Sequence, residues 1–448
     1  MPIGLKYLRS CCLVLAVALS AGRAGAQWLD TTIVLPDTAE PSVLCYNPAN
    51  NKVYCGSGRS NEVTVIDGAS NSIIAALPMG GQPAALCYNP TSNRVYAVLW
   101  DRVRVIDGAG DSLVGTVLPG WGGGAGIGCN PTTNRVYCLW SDGGMNHQVI
   151  TIDGASNTIV RRAVVASGPG ALCLATGVNR AFVACRAANR VSVINCATDS
   201  TMAHINVGGG PVAVCYDSVG SKIYSADRTG GTVSVINAAS NSYLKGLTVG
   251  SSPVALCFNP SNRRVYCANQ GSSTVSVIDC TTDSVIATVG VGTAPADICY
   301  NALNDKIYCS ARNWTSLAVI SGSSNGVVAW ITVGDQACGL TWNRTDNRVY
   351  CANSFSHSIS VIRDSMPTAV EEHEVKDLVT PHPTLVHGSL WIPPAEAGVR
   401  PRSILCDLAG RSILTLHSGA NDLSRLSPGV YFVAGKHVRP RRIVLVGR

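Results

Sequence analysis

A short pattern, Asn/Arg/Lys followed by Val/Ile, Tyr and usually Cys, recurs eight times along the chain, as in Arg264-Val265-Tyr266-Cys267. Its aromatic falls at Tyr54, Tyr96, Tyr137, Phe182, Tyr224, Tyr266, Tyr308 and Tyr350, giving steps of 42, 41, 45, 42, 42, 42 and 42 residues. A fixed period of this length means a repeat architecture, in which each unit buries its apolar faces only against its neighbours.

The sixth unit shows what each repeat holds. Pro253–Pro260, Arg264–Asn269, Thr274–Asp279 and Ser284–Val291 are β-branched or aromatic runs separated by Asn, Pro, Ser and Gly. Such runs read as four antiparallel strands joined by hairpins. Alternation within Thr274–Asp279 puts Val275, Val277 and Asp279 on one face and Ser276 and Ile278 on the other. Both faces are apolar or small, as in a sheet sandwiched between sheets. Four strands at this period make a β-propeller blade.

Tyr266-Cys267-Ala268-Asn269 and Tyr350-Cys351-Ala352-Asn353, with Val277-Ile278-Asp279, Val65-Ile66-Asp67 and Val105-Ile106-Asp107, resemble the YVTN-repeat β-propeller family. The naming motif carries Cys-Ala in place of Val-Thr. The resemblance covers roughly residues 30–363; the Gly-His…Trp-Asp and paired-Gly signatures of WD40 and kelch repeats are absent.

The ends of the array bear on closure. The eighth unit lacks a fourth strand after Val361-Ile362, and a lone strand-like run, Thr31–Leu35, precedes the first unit. Lending that run to the eighth blade would seal the ring and leave no open edge there. The expectation is an all-β, eight-bladed propeller over residues 27–363, or seven-bladed if the third or fourth unit is displaced.

Residues 1–26 read as a secretory signal peptide: Lys6 and Arg9, an apolar stretch Cys11–Ala21, and Ala24-Gly25-Ala26 before Gln27. The apolar run is shorter than the ~20 residues a membrane span needs, and no other run could span. Without this segment, 31 basic face 27 acidic side chains. That balance predicts no affinity for nucleic acid or anionic lipid.

Residues 364–378 turn acidic and irregular (Glu371-Glu372-His373-Glu374), which reads as a linker. Residues 379–448 have the pattern of a small β-sandwich of about six strands with Gly-centred turns. Asp407, Gly410 and Arg411, then Gly429 and Tyr431, then the basic terminal strand around Arg439, Arg441 and Arg442, resemble the C-terminal sorting domain of type IX secretion substrates. One departure is Pro381-His382-Pro383, where that family has Pro-Asn-Pro. The resemblance implies a host with an outer membrane, secretion machinery as a partner, and a final location outside the cell or on its surface, with the periplasm as alternative.

The 19 cysteines call for chemistry first. After residues 1–26 most fall at two repeat positions: Cys45, Cys87, Cys129, Cys173, Cys215, Cys257, Cys299 and Cys338 on the first strand, and Cys55, Cys138, Cys185, Cys267, Cys309 and Cys351 on the second. No Cys-x-x-Cys exists, so zinc has little support. Hairpin disulfides stay open, but Cys87 and Cys215 persist although their partner positions hold Ala97 and Ser225, which favours small buried hydrophobes. Asp67, Asp107, Asp153 and Asp279 alternate with Asn195, Asn237 and Ser321, which is turn chemistry rather than a carboxylate ring. His147, His204 and His357 sit on separate blades without metal-ligand spacing. Gly122–Gly126 reads as a loop with no following helix, so it lacks the N-terminus that binds phosphate. No cofactor is implied.

The loops joining second to third strand and fourth to next first strand share one side of a propeller. They carry Trp100, Asp101 and Arg102 on blade two, Trp121 entering blade three, and Trp140, Asp142, Asn146 and His147 on blade three. Exposed Trp beside Asp and Asn suits a sugar or peptide platform; the alternative is that these Trp cap blade ends. The first-strand stretches Ala84–Cys87, Val212–Cys215 and Val254–Cys257 are apolar or small, which argues against a catalytic funnel. The sequence therefore points to an exported, non-enzymatic module for a protein, peptide or glycan. The alternatives are a lactonase-like or quinoprotein-dehydrogenase-like propeller, or a surface-layer component. The oligomeric state is not legible.

Overall fold

The structure is a computed structural model that describes residues 27–144 and 146–364. In the C-terminal unit it describes 384–386, 389–392, 403–406, 412–417, 419–423, 425–426, 429–435 and 438–445. Residues 1–26 and the 365–378 stretch lie outside the described residues, as do the signal-peptide and linker readings. The chain divides into two units, 1–367 and 368–448.

The first unit is a ring of eight four-stranded antiparallel blades. Blade 6 uses Pro253–Asn259, Arg264–Asn269, Thr274–Asp279 and Ser284–Gly290, and the other blades repeat this plan. In blade 3 the central hairpin, Arg135–Ser141 and His147–Asp153, is one residue longer on each strand, which absorbs part of the 45-residue step. First strands of successive blades lie side by side nearest the axis. Alternation divides each blade between two seams: Val275 and Val277 pack toward blade 7, while Ile278 packs toward blade 5.

The N-terminal strand closes the ring. It runs Gln27–Val34 rather than Thr31–Leu35, and pairs antiparallel with Ser358–Asp364 as the fourth strand of blade 8. Ile33 and Leu35 bury against Tyr350, Ile359 and Val361. Asp30 meets the Arg348 guanidinium at 3.1 Å, and Gln27 donates to Asp364 at 2.8 Å.

What fixes one blade to the next is the repeated aromatic. The turn from third to fourth strand needs one residue at positive φ, and Asn71, Asp111, Asn157, Asp199, Asn241, Asp283 and Asn325 supply it at φ 49–60°. Asn and Asp tolerate this left-handed conformation better than other residues with a side chain. Their side-chain oxygens also accept the preceding blade's tyrosine hydroxyl: Tyr224 to Asp283 at 2.7 Å, Tyr96 to Asn157 at 2.7 Å, Tyr350 to Asn71 at 2.6 Å. In five blades the basic residue two positions before the aromatic reaches the same Asn or Asp, as Lys222 does at 2.6 Å and Arg264 at 3.0 Å. Blade 8 has no such turn, and Asp364 takes its place as acceptor for Tyr308 at 2.7 Å. Blade 4 carries Phe182, so there Arg180 alone reaches Asn241, at 2.9 Å, and it also donates to the Ala238 and Ala239 carbonyls.

A second ring of amides lies on the same face, in the first-to-second-strand turns. Asn89 donates to Asn134 at 2.7 Å, Asn301 to Asn347 at 2.7 Å and Asn343 to Asn51 at 2.9 Å. This turn face is thus sealed by side-chain hydrogen bonds. The opposite, loop face holds the second-to-third and fourth-to-first connections.

In the C-terminal unit, strands at 384–386, 403–406, 412–416, 429–435 and 438–445 form one sheet, and 389–392 pairs with 419–422 in a second. Leu390, Leu405, Leu416 and Leu423 form its apolar centre.

Deleting residues 27–35 should lower the unfolding free energy by several kcal/mol, since burying Ile33 and Leu35 contributes about 1.5–3 kcal/mol each. It should also produce concentration-dependent association in sedimentation, because Ser358–Asp364 becomes an open edge. An unchanged unfolding midpoint and no new association would contradict this closure.

Candidate functional site on the loop face

The loop face shows exposed aromatic side chains, where the turn face exposes the aliphatic Val219 and Leu303 among polar ones. Trp100 is 72 % exposed and Trp121 97 % exposed. Trp140 is not on the platform expected of it: it is 3 % exposed and packs with Tyr96, Val98 and Val136 in the seam of blades 2 and 3. Its indole Nε1 donates to the Trp121 carbonyl at 3.3 Å. The lengthened hairpin of blade 3 carries Trp140 within the strand Arg135–Ser141 rather than in the loop.

The glycine run also differs from expectation. Gly123–Asn130 is the first strand of blade 3, so only Gly122 stays in the loop. Two indoles explain why these positions lack side chains. A Cβ on Gly123 would lie 2.7 Å from the Trp100 ring, and one on Gly122 would lie 2.6 Å from Trp140 Nε1. Trp100 thus rests flat against backbone while much of it stays open to solvent.

The polar residues around these Trp are satisfied among themselves. Arg102 pairs with its neighbour Asp101. Asp142 accepts the Gly144 N–H at 2.9 Å and the Asn146 side-chain amide at 2.6 Å, and these bonds hold its carboxyl below the usual range. His147 Nδ1 lies 2.9 Å from Ser141 Oγ. Trp100, Trp121, Asp101, Arg102, Asp142, Asn146 and His147 do share the loop face, whereas Trp140 lies beneath it.

A second aromatic pair escaped the sequence reading. Trp314, 47 % exposed, and Phe355, 68 % exposed, sit on the second-to-third-strand loops of blades 7 and 8. They border a groove of about 390 Å³ that also takes in Arg312, Asn313, Asp335 and Gln336. Gly292, at φ 88°, lies under the indole: a Cβ there would come within 3.1 Å of Trp314. Both aromatics are single residues in short polar loops, so neither composition nor spacing flagged them.

The axial wall holds one carboxylate among small residues. Asp297 stands opposite Ser310, at the register where blades 4, 5 and 6 carry Ala171, Ala213 and Ala255. Its oxygens accept the Ile298 N–H at 2.8 Å and the Leu340 N–H of blade 8 at 2.9 Å. Burial pushes its carboxyl up to about 6 against those two bonds. Asp67, Asp107, Asp153 and Asp279 instead cap turns: the Ser70 N–H reaches Asp67 at 2.8 Å and the Thr282 N–H reaches Asp279 at 2.9 Å.

The cysteines resolve by register. Cys45, Cys87, Cys173, Cys215, Cys257 and Cys299 face the repeated aromatic. Gly128 and Thr341 fill that place in blades 3 and 8, so Cys129 lies one residue later and Cys338 three earlier than the repeat position. On the second strand Cys185 lies two residues past its repeat position, which Val183 occupies. Cys55 opposes Leu44 while Cys45 opposes Tyr54. An offset of one residue puts the two on opposite faces of the sheet, so a hairpin disulfide between them is not possible. The sixteen cysteines of the propeller are free thiols, and burial pushes Cys45, Cys138 and Cys257 up to about 12. Among the described residues no group of three or more His, Cys, Asp or Glu could hold a metal ion. His204 and His357 bond to Ser192 and to the Ala39 carbonyl.

Of the C-terminal motif, Asp407, Gly410 and Arg411 lie outside the described residues, while Gly429 and Tyr431 lie on the strand Gly429–Gly435. No described helix is long and apolar enough to cross a membrane.

No protein-family model matches the sequence, and no curated protein matches it. Among solved structures, Sqt1 of Saccharomyces cerevisiae superposes with a TM-score of 0.64 at 12 % identity, covering 75 % of this chain and 98 % of that one. At that identity the likeness speaks for the fold: the chain is a β-propeller.

Asp297 generates a pH prediction. Its pKa is higher folded than unfolded, so between about pH 4 and 6 the folded state holds the proton more tightly and stability falls as pH rises. Asp297→Ala restores the residue of blades 4 to 6 and removes that slope. The wild-type unfolding free energy, minus that of Asp297→Ala, should drop by about 2 kcal/mol from pH 4 to pH 7. A flat or rising difference would refute it.

Proposed function

We propose that the protein is an exported, non-catalytic recognition module of the YVTN-repeat kind, binding a protein, peptide or glycan on its loop face at the cell surface. The observation that carries this reading is the asymmetry of the ring. Trp100, Trp121, Trp314 and Phe355 are exposed on the loop face. The turn face is occupied by tyrosine–carboxylate and amide–amide bonds. Exposed aromatics gathered on one face are the usual mark of an interaction surface.

Absence of catalysis is supported by the axial wall. Asp297 has backbone N–H donors on both oxygens, which leaves it poorly placed as a proton shuttle. Export is supported by Lys6, Arg9, the apolar stretch after them and Ala24-Gly25-Ala26. Display through type IX machinery is supported by the order of Asp407, Gly410, Arg411, Gly429 and Tyr431.

Fractionating the native host and mapping both termini by mass spectrometry tests the reading. It expects protein outside the cell or on its surface, beginning at Gln27 and lacking roughly residues 379–448. Retention in the periplasm with an intact C-terminus would overturn the sorting assignment.

A further inference from the structure

The groove between blades 7 and 8 differs from the aromatic cluster of blades 2 and 3 in one respect that bears on ligand chemistry. Around Trp100 and Trp121 the charged and amide groups satisfy one another. In the groove they do not. Arg312, Asn313 and Asp335 have no side-chain hydrogen-bond or ion-pair partner among the described residues. Arg312 and Asp335 line the same groove without pairing to each other.

Rigidity is built in. The backbone holds the loops together, with the Arg312 N–H on the Ala294 carbonyl at 2.9 Å and the Ser354 N–H on the Gln336 carbonyl at 3.2 Å. Gly292 lies against the Trp314 indole. The Trp314 ring is thus a fixed flat surface, and Phe355 offers a second apolar surface across the groove.

We infer that this groove is a carbohydrate subsite that takes a neutral hexose unit of a glycan, with Trp314 as the stacking platform. The inference rests on the recognition reading above and names its ligand class. The charges decide the class. An anion in the groove meets Asp335 and a cation meets Arg312, so neither is favoured. A hydroxyl both donates and accepts. A polyol therefore satisfies the donor-only guanidinium, the acceptor-only carboxylate and the Asn313 amide together. The C–H face of a pyranose supplies apolar area for the exposed indole. About 390 Å³ lies at the small end of ligand sites, enough for a short saccharide.

The full chain is titrated by calorimetry with hexameric oligosaccharides of glucose, mannose and N-acetylglucosamine. Ligand-observed magnetic resonance serves as a second readout. At least one of the three should bind. Trp314→Ala and Phe355→Ala should each weaken it tenfold or more, Arg312→Gln threefold or more, and Trp121→Ala less than twofold. Unfolding temperatures of the variants control for misfolding, and the surface substitution Arg312→Gln carries the test if Trp314→Ala does not fold. Binding to none of the three, or equal binding by wild type, Trp314→Ala and Arg312→Gln, overturns the inference. Saccharide binding lost only in Trp121→Ala overturns the groove and leaves the recognition reading standing. A Trp314-dependent peptide ligand without saccharide binding overturns the glycan class and again spares that reading. Loss of the recognition reading itself would instead show as no loop-face ligand of any kind.

Discussion

Seven of the eight blade seams turn on a phenolic hydroxyl that reaches into the next blade, and in six of them it reaches that blade's outer turn. The turn demands a residue at positive φ, the demand selects Asn or Asp, and the same side chain then offers the oxygen that the tyrosine and its basic neighbour need. Local backbone chemistry and ring assembly are thereby one requirement. A hydrogen bond to a charged acceptor contributes about 1.5–3 kcal/mol and a neutral one about 0.5–1.5 kcal/mol. Seven such bonds span the blades of the ring. Burial raises the tyrosine pKa values at these seams, so the hydroxyls remain donors. Closure uses the same device: Asp364 substitutes for the missing turn, and Gln27 of the N-terminal strand holds it.

This arrangement divides the ring by function. The turn face is committed to holding blades together, since turn residues such as Asp111, Asn157, Asp283 and Asn134 already bind side chains of the neighbouring blade. The loop face is relieved of that task and can vary from blade to blade. Blades 2 and 3 use the freedom for exposed Trp100 and Trp121, with Trp140 drawn beneath them. Blades 7 and 8 use it for Trp314 and Phe355 above unpaired polar groups.

The fold was legible because the period and the four-run unit repeat within one chain. The missing fourth strand of the last unit announced the closure. The seam partner of each tyrosine was not legible: Tyr224 and Asp283 are 59 residues apart, and nothing local relates them. Turn propensity explained the capping Asp67 and Asp279 correctly, but it did not show that a second turn residue, such as Asp283, has a structural partner. Among site residues, Trp140 was misjudged because lengthening the blade 3 hairpin moved it from loop to strand. Asp297 was missed because the first strands of other blades are apolar, and Trp314 because a lone aromatic in a polar loop has no pattern. Cysteine spacing left hairpin pairs open while favouring small buried residues, and register puts the two cysteines on opposite faces in blades 1, 6 and 7. Spacing in sequence does not carry the parity that decides which side of a sheet a residue occupies.

The account stands most directly on the coupling between Tyr224 and Asp283. A double-mutant cycle with Tyr224→Phe and Asp283→Gly isolates it, because glycine keeps the positive φ and any strain or packing change cancels in the cycle. The account predicts a coupling of about 1.5–3 kcal/mol in unfolding free energy, the value of a hydrogen bond to a charged acceptor. A coupling near zero would mean that blade seams are held by apolar packing alone, and that the repeated aromatic is only a core residue.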